Sequence, residues 1–155
     1  MKLPFIRSLA SAGVFTIHGF DYHASYTFTT PAHQNSWGYV NFNLTNSLTP
    51  YSFKCSASSG QLQDFFYGTV AYACTPDDTA PVGAGANFKY SRPSGQLDVE
   101  QTIPGQGNST VMSGTVQVTV TCTDNTTTNE HWTMGQIYSQ RSVVCAQADF
   151  TVPAN

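Results

Sequence analysis

Four cysteines carry the most definite chemistry in this sequence: Cys55 and Cys74, then Cys122 and Cys145 after a long cysteine-free stretch. No C-x-x-C motif occurs, and no histidine lies at metal-ligand spacing from any cysteine, so a zinc site is disfavoured. An even count in a chain with few charges predicts two structural disulfides in a protein that leaves the cell. Closing loops of roughly 20 and 24 residues stabilises a fold by about 3 kcal/mol each in the chain-entropy model. The alternative is four reduced, buried thiols in a cytosolic protein.

Residues for acid–base catalysis are present but poorly arranged. Glu130 and His131 are adjacent in a polar segment, which is more typical of a solvated pair than of a catalytic one, and no G-x-S-x-G motif occurs. Asp98 and Glu100 share one face of an alternating stretch, roughly 7 Å apart, but such pairs are common on the wet side of a strand. The sequence therefore predicts no catalytic residues and no enzyme activity, with a cell-wall hydrolase as a remaining alternative.

Outward-facing aromatic residues are the better candidates for binding. Trp37, Tyr39 and Trp132 are additional to the aromatic residues that an alternating core face requires. Such rings can stack on a flat ligand or a sugar, or anchor a protein interface. The alternative is that they fill the interior of the fold or clamp its ends. We select these three residues as the candidate ligand-binding positions.

Three N-glycosylation sequons are consistent with a secreted protein: Asn43-Leu44-Thr45, Asn108-Ser109-Thr110 and Asn125-Thr126-Thr127. A chain rich in Thr and Asn also forms such triplets by chance. Asn108 and Asn125 lie in polar, turn-like surroundings that suit a glycan, whereas Asn43 lies inside a strand pattern.

Composition limits the classes of partner. Only 10% of the 155 residues are charged, against about 25% in an ordinary soluble domain. With six basic residues and a net charge of −3, the chain has no footprint for nucleic acid. No apolar run approaches the 18 or so residues of a membrane span. The adjacent acids Asp77 and Asp78 fall far short of a calcium ligand set, so neither a metal nor a cofactor is predicted.

The N-terminal segment has features of a degenerate secretory leader. Its apolar start is interrupted by Arg7, and the A-x-A site Ala10-Ser11-Ala12 leaves an apolar region of under about ten residues. We therefore expect residues 1–22 to be a leader or an incorrectly assigned first-exon segment outside the fold. Residues 23–155 are expected to form a single domain.

Alternation of apolar and polar residues dominates the remaining chain. Residues 37–44 and 115–122 each place apolar side chains on one face, and residues 142–152 are predicted to be the last strand, with Val144 on its inner face. Residues 124–129 are predicted to be a polar loop. No apolar period of 3.6 residues persists for three turns. The fold class is therefore all-β: a single antiparallel barrel or sandwich stapled by two disulfides.

Several segments, in this order along the chain, resemble the Alternaria major allergen family. The similarity covers roughly residues 26–152, and the order of the segments together with the cysteine pattern makes it distinctive. The segments are Asn35-Ser36-Trp37-Gly38-Tyr39, Phe53-Lys54-Cys55-Ser56-Ala57, Leu62-Gln63-Asp64, Phe88-Lys89-Tyr90, Ser94-Gly95-Gln96-Leu97 and Val144-Cys145-Ala146-Gln147-Ala148-Asp149-Phe150.

The resemblance implies a small secreted fungal protein with an antiparallel β-barrel and the disulfides Cys55–Cys74 and Cys122–Cys145. Members of that family include allergens and elicitors of plant defence, and some are reported to inhibit plant defence proteins or to carry flavonoid-like ligands. The expected function is thus a secreted effector or elicitor that plant defence recognises and that acts by binding. The alternative is a carrier of a small aromatic ligand. The founding allergen links two subunits through an extra N-terminal cysteine; the first cysteine here is Cys55, so no disulfide-linked dimer is expected.

Overall fold

The computed structural model describes residues 13–155, and this part of the chain folds into ten β-strands without a helix. All strand pairings are antiparallel, which confirms the predicted all-β class. Across the described residues, no helix offers the length and apolar character that a membrane crossing needs. The strands are β1 (Gly13–Thr30), β2 (His33–Asn46), β3 (Ser52–Ser59), β4 (Tyr72–Pro76), β5 (Gly85–Tyr90), β6 (Gln96–Pro104), β7 (Ser109–Gln117), β8 (Cys122–Thr128), β9 (Ser139–Cys145) and β10 (Ala148–Ala154).

All ten strands belong to one sheet, in the order β7-β6-β5-β4-β3-β2-β1-β9-β8, with β10 paired to β1 as well. β1 is 18 residues long and borders β2 along nearly its whole length. On its other side, the first half of β1 pairs with β10 and the second half with β9. β1 is therefore the strand on which both C-terminal strands assemble.

The sheet curls into a half-barrel, and one of its ends, β7, meets β10, the strand that pairs with the first half of β1. Ser113 and Asn155 each donate a backbone N–H to the carbonyl of the other, at 2.8 and 3.0 Å. Gly114 lies at this seam, where an added Cβ would be 2.9 Å from the Pro153 carbonyl oxygen. The close approach of the two strands therefore depends on the absence of a side chain at residue 114.

Aromatic and aliphatic side chains fill the concave side of the sheet. Phe20 packs edge-on against Tyr90, with ring centroids 5.2 Å apart, a favourable arrangement for aromatic pairs. The alternation predicted for residues 37–44 is confirmed, because Val40, Phe42 and Leu44 all point into this core and are buried.

The structure corrects the boundary placed after residue 22. β1 begins well before it, and Phe15, Ile17 and Phe20 are fully buried in the core. In the sequence, the polar residues between them suggest an interrupted leader. In the structure, they lie on the outer side of a strand. The rest of the segment assigned to a leader, residues 1–12, lies outside the described residues.

A β-bulge at Gly19 explains why the alternation in this segment was hard to recognise. Gly19 has a φ of +64°, and the register of β1 against both neighbours shifts by one residue there. Ile17 faces the core before the bulge and Tyr22 faces it afterwards, so inward parity changes from odd to even. The Gly19 N–H donates to the Asp149 carboxylate at 2.7 Å, which holds the bulge in place.

The predicted strand over residues 115–122 is wrong in its extent. β7 ends at Gln117, and the Val118 N–H donates instead to the Gly95 carbonyl at 2.7 Å. β8 then begins at Cys122 and includes most of the predicted loop over residues 124–129. This strand has no apolar face because it lies at the sheet edge, so alternation could not reveal it.

The predicted last strand is likewise two strands. β9 ends at Cys145 and β10 begins at Ala148, so the two residues between them belong to neither strand. This break shifts the parity, so Val143 is buried while Val144 points outward and is exposed. The expectation that Val144 faces inward is therefore wrong.

Candidate functional site

Both cysteine pairs form intramolecular disulfides between consecutive cysteines. Cys55 and Cys74 face each other across β3 and β4, with Cα atoms 4.3 Å apart. Cys122 and Cys145 face each other across β8 and β9, with Cα atoms 3.9 Å apart. The cysteines are therefore structural, and no free thiol remains in the described part of the chain.

Two of the predicted ligand-binding residues belong to a stack of rings on the outer face of the sheet. The His23 and Tyr39 rings are 4.8 Å apart at 12° to each other. The Tyr39 and Trp37 rings are 5.5 Å apart at 16°. We call these three side chains the outer aromatic stack. Trp37 ends the stack and is 48% exposed, so one side of the indole is open to a ligand or a partner.

Strand register builds the outer aromatic stack. His23 on β1 lies directly opposite Tyr39 on β2, and Trp37 follows two residues away on the same face of β2. Gly38, between them, faces the interior, where the Phe65 ring occupies the place of a side chain; an added Cβ would lie 2.7 Å from that ring. The part of the sheet that carries the stack is therefore tightly packed on its inner face.

An acidic group adjoins the stack. An Asp21 carboxylate oxygen lies 2.8 Å from Nδ1 of His23, without the alignment of a hydrogen bond. Partial burial, and secondarily the Asp21 charge, raises the pKa of Tyr39. Tyr39 is therefore a neutral phenol at physiological pH, so the stack presents aromatic surface beside a single carboxylate.

Trp132 does not join the outer aromatic stack. It lies in the turn between β8 and β9, where its indole N–H donates to the Gln136 carbonyl at 2.8 Å. Its ring packs edge-on against Tyr138, with centroids 6.0 Å apart. These contacts give Trp132 a role in shaping the turn, which is the structural alternative considered for the predicted aromatic residues.

A cleft on the concave side brings together residues that sequence reasoning missed. We call it the Arg–Tyr cleft; it consists of two adjoining cavities of about 340 and 140 Å³ that share Tyr26, Asp64 and Arg141. Tyr22 and Arg92 line the smaller cavity. The Arg92 guanidinium lies 4.5 Å from the centre of the Tyr22 ring, and that of Arg141 lies 4.8 Å from the centre of the Tyr26 ring.

Charges in the Arg–Tyr cleft are largely balanced. Arg141 donates two hydrogen bonds to the Asp124 carboxylate, at 2.7 and 2.9 Å. This pairing lowers the pKa of Asp124 and raises that of Arg141. Burial is the main cause that raises the pKa of both Tyr22 and Tyr26. The cleft therefore offers neutral phenols and one ion pair, and the Arg141–Asp124 contact joins β9 to β8.

The missed residues come from separate parts of the chain. Tyr22 lies in the segment assigned to the leader, Arg92 lies in a hairpin turn, and Asp124 lies in the segment predicted as a loop. The chain has only six basic residues, so the rarity of arginine was the one available signal. Sequence alternation does not report which distant strands converge.

The acidic candidates for catalysis or calcium binding lie in turns or on the outer side of the sheet. Glu130 and His131 are exposed in the β8–β9 turn. Asp98 accepts a hydrogen bond from the Thr115 hydroxyl at 2.8 Å on the outer side of the sheet. Asp77 accepts hydrogen bonds from the Thr79 hydroxyl and from the Ser52 backbone N–H, so it connects its loop to β3. These bonds, with the Thr79 bond as the larger cause, lower the pKa of Asp77 to about 2. Among the described residues, no cluster of three potential metal ligands occurs.

All three sequon asparagines are exposed. Asn43 lies on the outer face of β2, Asn108 lies in the turn before β7, and Asn125 lies at the middle of β8. The turn-like surroundings expected for Asn125 are therefore wrong, because it belongs to a regular strand at the edge of the sheet.

Comparison with known proteins gives one result. A family model described as Alternaria alternata allergen 1 matches residues 17–145, which is most of the chain. No curated protein and no solved structure matches significantly. The matched region starts within the first half of β1 and contains both disulfides and both surfaces described above.

Proposed function

The chain belongs to the Alternaria alternata allergen 1 family, and from this premise we propose that it is a secreted fungal protein that acts by binding and that plant cells recognise as an elicitor. Two intramolecular disulfides support an extracellular location. The observation that carries a binding role is the outer aromatic stack, with its open Trp37 ring on a rigid sheet.

A rigid, exposed tryptophan is a favourable anchor for a protein partner. Residues that contribute most to interfaces are enriched in Trp and Tyr, whose rings bury a large area with few rotatable bonds. Trp37 and Tyr39 are held in place by stacking and by strand pairing, so little side-chain entropy is lost when a partner binds. The solvated positions of Glu130 and His131 support binding rather than catalysis.

Trp37→Ala is expected to reduce the defence response at least tenfold when the oxidised protein is infiltrated into leaves. Removing one well-placed aromatic anchor costs an interface about 2 kcal/mol or more. Leu48→Ala is the matched control, because Leu48 is as exposed as Trp37, at 48%, but lies away from the stack. The response is measured as ion leakage or oxidative burst over a dilution series. Inert wild-type protein across several hosts would contradict the elicitor role, and equal potency of both variants would contradict the role of the stack.

A second candidate function is the carrying of a small planar aromatic ligand. The open side of Trp37 can continue the stack with one more ring, since the three rings already lie nearly parallel. This function uses the same surface but requires no plant protein.

Flavonol titration is expected to quench the fluorescence of Trp37 and not that of Trp132. The chain contains two tryptophans, so Trp132→Phe leaves Trp37 as the sole reporter and Trp37→Phe leaves Trp132. Saturable quenching at micromolar ligand in the first variant alone supports the carrier. Equal, linear quenching in both variants would contradict it, whatever the result in leaves.

A further inference from the structure

β8 forms the last strand of the sheet, and its outer edge has no partner strand within residues 13–155. It is seven residues long, and every residue after Cys122 is exposed. Its pairing with β9 runs without a register shift, so no bulge distorts it, and it contains neither Lys nor Pro. Natural edge strands normally carry such features to prevent pairing with another chain. β8 lacks these protections.

The hydrogen bonds of the hairpin show which backbone groups face the open edge. The Ala146 N–H donates to the Thr121 carbonyl, and the Asn129 N–H donates to the Tyr138 carbonyl, both at 2.8 Å. These pairs continue the β8–β9 register at its two ends, and hydrogen-bonded pairs alternate along an antiparallel ladder. Odd-numbered residues of β8 therefore bond to β9. The N–H and C=O groups of the even-numbered residues point to the open edge: Cys122, Asp124, Thr126 and Thr128.

We propose that this edge binds a second copy of the chain, β8 against β8, around a two-fold axis at Asn125. In the antiparallel pairing centred there, Asp124 lies opposite the second copy's Thr126, and Cys122 lies opposite the second copy's Thr128. Every outward N–H then meets an outward C=O, giving up to about eight backbone hydrogen bonds. A two-fold axis requires such a self-complementary surface. One register therefore satisfies the whole edge.

The charge on β8 also permits pairing with a second copy of the chain. Asp124 is the only charged residue of β8, and it is paired with Arg141 of its own chain. In the symmetric register the two Asp124 residues are not opposite each other, since each faces a threonine. The strand-forming preference of threonine favours the same pairing.

Glycosylation of the sequon at Asn125 regulates this interface. Asp124 points into the Arg–Tyr cleft, so Asn125, its neighbour, points to the outer face. On the two-fold axis the two Asn125 residues form a non-hydrogen-bonded pair, with Cα atoms about 4.5 Å apart. Two glycans cannot start so close together on one face. A glycan at Asn125 therefore keeps the protein monomeric, and its absence permits the dimer.

The test uses the full, oxidised chain with Asn125→Gln, which cannot carry the glycan. Sedimentation velocity from about 10 µM to about 1 mM, the range of weak interfaces, is expected to show a monomer–dimer equilibrium. Adding Thr126→Pro removes one outward N–H and no hydrogen bond to β9, a position where an edge strand tolerates proline. We expect this variant to weaken dimerisation at least tenfold. Thr126→Ala is the matched control, because it keeps the N–H and is expected to dimerise.

Amide hydrogen exchange on the Asn125→Gln protein tests the register without relying on the proline variant. Protection of the Asp124, Thr126 and Thr128 amides is expected to increase at least tenfold with protein concentration, while that of Thr123 and Thr127 stays unchanged. A monomer at all concentrations, or concentration-dependent protection elsewhere only, overturns the interface. Secreted protein without a glycan at Asn125, or a glycosylated form that still dimerises, overturns the glycan control.

Discussion

A chain that begins at His23 is expected not to fold. It lacks the first half of β1, which pairs with β10 and with the end of β2. It also lacks Phe15, Ile17 and Phe20, each of which is fully buried. Burying one such side chain contributes about 1.5–3 kcal/mol, so the loss of all three, roughly 4.5–9 kcal/mol, is comparable to the total stability of an ordinary domain, about 5–15 kcal/mol. Circular dichroism of the secreted or refolded product is expected to show no cooperative thermal transition.

A point substitution tests the same burial of β1 in the full chain. Phe20→Ala removes ring contacts with Phe42, Tyr90 and Phe150 and is expected to cost about 3–5 kcal/mol. This corresponds to a fall in Tm of roughly 6–20 °C for a domain of this size. Val14→Ala, on the same half of β1 but exposed, is the matched control and is expected to change stability by less than about 0.5 kcal/mol. Normal folding from His23, or equal effects of the two substitutions, would contradict the placement of β1 in the core.

Replacing Cys55 and Cys74 together by alanine is expected to lower the free energy of unfolding by about 3–5 kcal/mol. Loss of the cross-link frees a loop of about 20 residues in the denatured state, worth roughly 3 kcal/mol, and the buried sulfurs leave a cavity. The ladder between β3 and β4 has only three residue pairs, one of which is the disulfide itself. Little other pairing therefore remains there. Urea denaturation of the oxidised double variant measures the loss.

The Cys122–Cys145 pair provides the comparison for that experiment. It closes a loop of similar length, but Cys122 is only partly buried and β8 keeps its ladder with β9. Its double alanine variant is expected to lose about 3 kcal/mol with a smaller cavity cost, because only Cys145 of this pair is buried, and the first sign is faster amide exchange in β8. A larger loss here than for Cys55–Cys74 would contradict this account of where the cross-links act.

The parts of the fold that sequence predicted are those with one buried face. Val40, Phe42 and Leu44 alternate with polar residues because β2 has the core on one side and water on the other. The family resemblance supplied the disulfide pairing, which alternation alone left open. It did so because the cysteine order is distinctive even where the intervening residues are not.

Sequence failed where burial does not follow a single period of two. β8 has two wet faces, and the break between β9 and β10 reverses the inward parity at Val144. For the candidate site, Trp37 and Tyr39 were found because they stand out by type. His23 was missed because only strand register places it against Tyr39, and the Arg–Tyr cleft was missed because its members come from distant strands.

The glycine bulge in β1 links the interior of this protein to its exterior. One extra residue at Gly19 acts as a phase shift, so that the apolar side chains before and after it can both face inward along a single strand. The same shift sends His23 outward to meet Tyr39. An insertion or deletion of one residue between Ile17 and Tyr22 would exchange the inside and outside of half the strand. The residues of the outer aromatic stack can therefore change by substitution, while the spacing of this short stretch stays fixed.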